Sequence, residues 1–62
     1  MEIILIDKVS KRKTLGSSKN IPIPREGEKI NLGYEPYAKV IEIVYDYYQE
    51  KIFVIVDGFI LP

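Results

Sequence analysis

Few side chains in this chain can do acid–base or nucleophilic work. Histidine and cysteine are both absent. The serines are Ser10, Ser17 and Ser18, each in a polar turn-forming stretch without a base nearby in sequence. Glu42 and Asp46 share one face of an expected strand, but strand rise puts them roughly 13 Å apart. That is too far for two carboxylates acting on one bond. Without His or Cys there is neither a thiolate–imidazole metal site nor a disulfide. The expectation is a protein that is not an enzyme, with no cofactor, no metal and no small-molecule substrate.

Two other groups of side chains can still make contacts. The first is cationic. Residues 8–25 carry Lys8, Lys11, Arg12, Lys13, Lys19 and Arg25 and no acid, while the chain as a whole has zero net charge. Such asymmetry points to an anionic partner or one of opposite polarity. Lysines near a strand edge also block edge-to-edge aggregation, so Lys11, Arg12 and Lys13 have both a bland reading and a functional one. The second group is aromatic. Tyr34, Tyr37, Tyr45, Tyr47 and Tyr48 are many tyrosines for 62 residues. Tyrosine combines apolar area with a polar tip and is favoured at interfaces. Adjacent Tyr47 and Tyr48 cannot both point inward on a strand, so at least one is expected outside. The candidate partner-binding residues are therefore Lys11, Arg12, Lys13, Tyr34, Tyr37, Tyr47 and Tyr48.

The elements that position them read as strands. Residues 37–57 are two runs rich in Val, Ile, Tyr and Phe, joined around Tyr48–Glu50. These residues suit a pleated surface, and helix formers are sparse. The pattern predicts a long C-terminal hairpin. Alternation puts Ile41, Ile43, Tyr45 and Tyr47 on one side and Glu42 and Asp46 opposite, but Ala38, Lys39 and Val40 are out of phase. A β-bulge near Val40–Ile41 repairs this and bends a strand over 37–47. No Gly or Asn lies between Asp46 and Lys51, so a loop of four or five residues is expected. Residues 52–56 are apolar on both faces, as in a strand buried on both sides or one with an oligomer contact outside.

Earlier in the chain, residues 2–8 form a first strand, also apolar on both faces. A turn over 9–12 leads to a weak strand over 13–18. Ile21-Pro22-Ile23-Pro24 cannot be helical. It is either a rigid connector that lays Ile21 and Ile23 over the core, or an exposed ligand for an aromatic groove. Residues 29–32 alternate as a short strand with Ile30 and Leu32 inward. Gly58 permits a turn, after which Phe59, Ile60 and Leu61 could return as a closing strand. A single helical turn is conceivable near 47–50 or Ile60. The fold expected is all-β: one domain over 1–62, a small curved antiparallel barrel of five to six strands.

A chain this short buries only about 60% of its unfolded surface. Lacking staples, it needs a dense core or self-association. Eleven isoleucines supply the core, and a homo-oligomer is a natural complement. An acidic Glu2 and a short apolar run do not make a signal peptide. No segment approaches a membrane-span length. A cytoplasmic setting with no membrane partner is expected.

Two resemblances add to this. Gly27-Glu28 ahead of residues 29–32, followed by the long hairpin, resembles small SH3-like barrels, including short proteins of bacteriophages and prophages. The likeness covers residues 24–57 and implies an SH3-like barrel that works as an interaction module. Arg25, Gly27, Glu28, Ile30, Leu32 and Gly33 are similar to the R-K-x-G-E-x-I-x-I-G opening of the carbon storage regulator family, small dimeric RNA-binding β-proteins. Here one residue fewer separates Arg from Gly, two prolines precede the motif, and no site residue is carried over. The two functions expected are protein–protein binding or self-assembly, and nucleic-acid binding through the basic tip and surface tyrosines.

Overall fold

A computed structural model describes residues 1–60. Five strands form one sheet: β1 (Glu2–Ile6), β2 (Arg12–Ser17), β3 (Lys29–Ile30), β4 (Ala38–Asp46) and β5 (Lys51–Asp57), with no helix among the described residues. Their order across the sheet is β2-β1-β5-β4-β3. The sheet curls into a half-barrel. Three of the four strand pairings are antiparallel as expected, but β1 and β5 run parallel from Glu2↔Lys51 to Ile6↔Ile55. These are the two strands that are apolar on both faces. Such strands suit the middle of a sheet, where both faces can be covered.

The inner face holds the core. Ile3, Leu5, Ile52, Val54 and Val56 are 0–1% exposed, joined by Ala38 and Val40 from β4. Ile21, Ile23, Ile30 and Leu32 pack over it. The proline segment is therefore the connector of the two readings, with its isoleucines inward. A Cβ on Gly16 would come within 3.3 Å of the Ile21 side chain, so glycine at this position lets the connector lie close to β2.

The expected bulge is present at Val40–Ile41. β4 pairs with β5 through Val40↔Val56 and then Glu42↔Ile55, which leaves Ile41 unpaired. Ile41 is 48% exposed and does not join Ile43 on the inner side, which corrects the simple alternation. The bulge is held from outside the strand. Gly27 N donates to Val40 O, and Val40 N donates to Glu28 O, both at 2.8 Å. Gly27 has φ 92°, a conformation glycine adopts without strain. The Gly-Glu turn that suggested a barrel is the clamp on the β4 bend.

Residues 47–50 make the hairpin loop, at the length expected and without a helical turn. Asp46 organises it: Oδ1 accepts from Gln49 N and Oδ2 from Gln49 Nε2. Phe59 and Ile60 follow Gly58 without forming a sixth strand, although Ile60 does reach the core. Leu61 of the expected closing strand lies outside the described residues.

Directly paired residues share a face, so the register also defines the outer side of the sheet. Its central row across β2, β1, β5 and β4 is Thr14, Ile4, Phe53 and Val44. On one side lies Arg12, Ile6, Ile55 and Glu42, and on the other Ser17, Glu2, Lys51 and Asp46. Arg12 lies over the Phe53 ring, 5.4 Å from its centroid. This face is apolar in the middle, with charged residues Arg12, Glu42, Glu2, Lys51 and Asp46 in its two outer rows.

A core this concentrated in two strands makes a sharp mutational contrast. Leu5→Ala should cost about 2–5 kcal/mol by the transfer-plus-cavity rule. Tyr48→Ala, at a side chain 98% exposed, should stay within about 0.5 kcal/mol. Urea titrations followed by circular dichroism measure both.

Candidate interaction surfaces

Strand directions sort the candidate residues between two ends of the sheet. β1 and β5 finish at the same end at which β2 and β4 begin. That end carries the turn over 7–11, the segment over 57–60, and Tyr34 and Tyr37 ahead of β4. Tyr47 and Tyr48 sit in the hairpin loop at the opposite end. The structure thus puts Lys11 at the same end of the sheet as Tyr34 and Tyr37, Lys11 on the β2 side and the tyrosines on the β4 side, with Tyr47 and Tyr48 at the other end.

Asp7 builds the first end. It is 4% exposed, the one buried polar or charged residue among those described. Its Oδ1 accepts from Val9 N at 3.0 Å and from Lys11 N at 2.8 Å. Its Oδ2 accepts from Ile60 N at 2.7 Å. One carboxylate thereby shapes the basic turn and fastens the segment after β5 to it, 53 residues away in sequence. Ser10 takes φ 64° inside this turn. Burial of Asp7 works to raise its pKa. The backbone donors Ile60, Lys11 and Val9, with the charge of Lys11, outweigh that and hold the carboxyl below its ordinary value. The sequence reading did not pick Asp7 out. The signal was an Asp closing an apolar strand and opening a polar turn, where it can bond backbone N–H groups two residues on.

The same end holds a groove of about 310 Å³, lined by Tyr34, Pro36, Tyr37, Asp57 and Phe59 among others. Tyr37 is 48% exposed and Phe59 51%. The Tyr34 hydroxyl donates to Phe59 O, tying the two walls together. Lys8 Nζ pairs with Asp57 Oδ1 at 2.6 Å and lies 5.6 Å from the Phe59 ring centroid. Phe59 was not among the expected contact residues. Its place in the groove depends on Asp7 holding Ile60, a contact sequence adjacency cannot show.

The basic cluster is divided. Arg12 and Lys13 are consecutive on β2 and pair with Ile6 and Leu5, so they point to opposite faces. Arg12 sits on Phe53, and Lys11 and Lys13 are exposed. At the far end Tyr47 is 76% exposed and stacks on Tyr45 at 6.3 Å, while Tyr48 stands free of both. A wider open groove of about 720 Å³ runs between the proline connector and Tyr45. Among the described residues, no group of three or more acids could hold a metal ion, and no helix is long and apolar enough to cross a membrane.

No protein-family model matches this chain, and neither a curated protein nor a solved structure matches it significantly.

The Asp7 latch has a pH signature. A carboxyl whose folded pKa is lowered gives stability that is present above its unfolded value, near pH 4. That stability is lost as pH falls through the folded value. Stability measured by urea titration should decline as pH drops below about 4. Asp7→Asn should lower stability at pH 7 and flatten that part of the decline.

Proposed function

We propose that this protein is a non-catalytic interaction module, acting by binding protein or by self-assembly. The supporting observation is the aromatic groove at the Asp7 end. Tyr37 and Phe59 remain about half exposed there, Phe59 on backbone held by hydrogen bonds at Phe59 O and Ile60 N and Tyr37 next to the first paired residue of β4, Ala38. A rigid aromatic surface loses little conformational entropy on binding, which favours association. The resemblance of residues 24–57 to small SH3-like barrels of phage type supports the same role. In this reading the module works in the cytoplasm, which suits a chain without cysteine.

Alanine at Tyr37 and Phe59 tests the groove. A partner retained by the wild-type chain from cell extract should lose about tenfold or more in affinity for the double variant, as expected for truncated aromatic anchors. Unchanged retention would remove the groove from the reading. No retained protein, together with a monomer by light scattering at high concentration, would remove the module reading itself.

One observation favours a second reading, nucleic-acid binding. Lys11 and Lys13 are exposed at the same end of the sheet as Tyr37 and Phe59, so a nucleic-acid strand laid across that end would meet both cations and aromatic rings. Against it stand Asp57 and Glu35 in the groove and the use of Arg12 on Phe53. This reading requires a gel shift with single-stranded oligonucleotides at about 50 mM salt, weakened by Lys11→Ala and Lys13→Ala and by added salt. No shift under those conditions excludes it.

A further inference from the structure

The outer face of the sheet has a self-complementary layout. A sheet with one wet face normally alternates apolar and polar residues, so its solvent side is polar. Here β1 and β5 place Ile4, Ile6, Phe53 and Ile55 side by side in the middle of that face. Val44 beside them is 41% exposed, Ile6 and Ile55 are half-buried, and Ile4 and Phe53 are covered in the single chain, Phe53 in part by Arg12. None of these five belongs to the inner core cluster.

The two outer rows carry charges in a definite order. Arg12 and Glu42 lie at opposite ends of one row, and Glu2 and Lys51 are central in another. Among the described residues the one ion pair is Lys8–Asp57, so none of these four is paired within the chain. Consider a two-fold axis running along the strands, midway between parallel β1 and β5. It lays β1 over β5 of a second copy and β2 over β4. Arg12 then meets Glu42 of the partner subunit, and Glu2 meets Lys51 of the partner subunit. Ile6 meets the partner's Ile55, and Ile4 meets the partner's Phe53. Symmetry makes every contact twice. The other in-plane axis, across the strands, sets Glu42 against the partner's Asp46 and Ile6 against the partner's Glu2. Its cost is like-charge repulsion and an apolar side chain buried on a carboxylate.

We propose that the chain forms a symmetric dimer through this outer face, with the axis along β1 and β5. This names the contact for the self-assembly half of the function proposed above and rests on that reading. Along the axis, where β1 and β5 meet their partners, the two sheets approach to about the 10 Å usual for aligned sheets. The curl of the half-barrel widens the gap toward β2 and β4, which the long Arg12 side chain spans. Arg12 covers Phe53 in the single chain, so in the dimer it moves outward to the partner's Glu42 as Phe53 packs on the partner's Ile4.

Sedimentation equilibrium on the full chain tests this. The wild type should dimerise, and Ile55→Asp should be monomeric. Arg12→Glu and Glu42→Arg should each weaken the dimer about tenfold or more, and the two together should restore it. Arg12 and Glu42 are exposed in the single chain, so this swap decides the matter even if Ile55→Asp fails to fold. A wild-type monomer at about 1 mM, weaker than any useful affinity, overturns the proposal. A dimer indifferent to all these changes, or a double reversal no better than either single one, also overturns it. The Tyr37→Ala, Phe59→Ala variant should keep the wild-type dimer constant. Failure of the dimer with partner capture retained at the groove would sink this interface and leave the module reading standing.

Discussion

The parallel pairing of β1 with β5 is the constraint on which the rest of the molecule depends. It joins the first strand to the last, so every other element must hang on one side of that pair or the other. β2 returns against β1 and β4 against β5, and short β3 finishes the β4 edge. Because both central strands are apolar on both faces, the pair needs cover twice over. The chain supplies it in full on the inner face and in part on the outer, where Ile4 and Phe53 are buried, Ile6 and Ile55 half-buried and Val44 exposed. The proline connector, β3 and Ile60 close the inner face. The outer face keeps an apolar centre under the arginine of β2. A short chain without cysteine has few ways to cover both faces by itself.

Two local devices keep this arrangement in shape. Asp7 binds three backbone N–H groups and so fastens the segment after β5 to the turn after β1. A buried carboxylate is costly unless its oxygens are satisfied, so this bond set also specifies the path of residues 58–60. The second device is the clamp of Gly27 and Glu28 on Val40, which fixes where β4 bends. The Asp7 latch and the Tyr34 hydroxyl bond to Phe59 O hold one wall of the aromatic groove, and residues 34–38 leading into β4 form the other.

Much of this was legible in residue pattern, for reasons particular elements show. The long hairpin and its loop length followed from two β-branched runs and the lack of glycine between Asp46 and Lys51. The bulge followed from the phase conflict between Lys39 and Glu42, and only its occupant, Ile41, was misplaced. The inward isoleucines of the proline segment followed from the cost of leaving them wet. Strand direction did not follow, because a doubly apolar run such as residues 2–6 or 51–57 reads alike in either sense. The meeting of Asp7 with Ile60 was hidden for a related reason: it is a consequence of β1 and β5 ending together. Hence the groove was half visible, through Tyr34 and Tyr37, and Phe59 was missed. The basic tip looked like one cluster in sequence and is divided by the simple alternation of β2.

Backbone NMR of the isotope-labelled chain tests the β1–β5 pairing most directly. Cross-strand contacts should rise in step along both strands, Ile3 with Ile52, Ile4 with Phe53 and Leu5 with Val54. Contacts that run in opposite order, or a β1 whose neighbours are β2 and solvent, would contradict the account at its root.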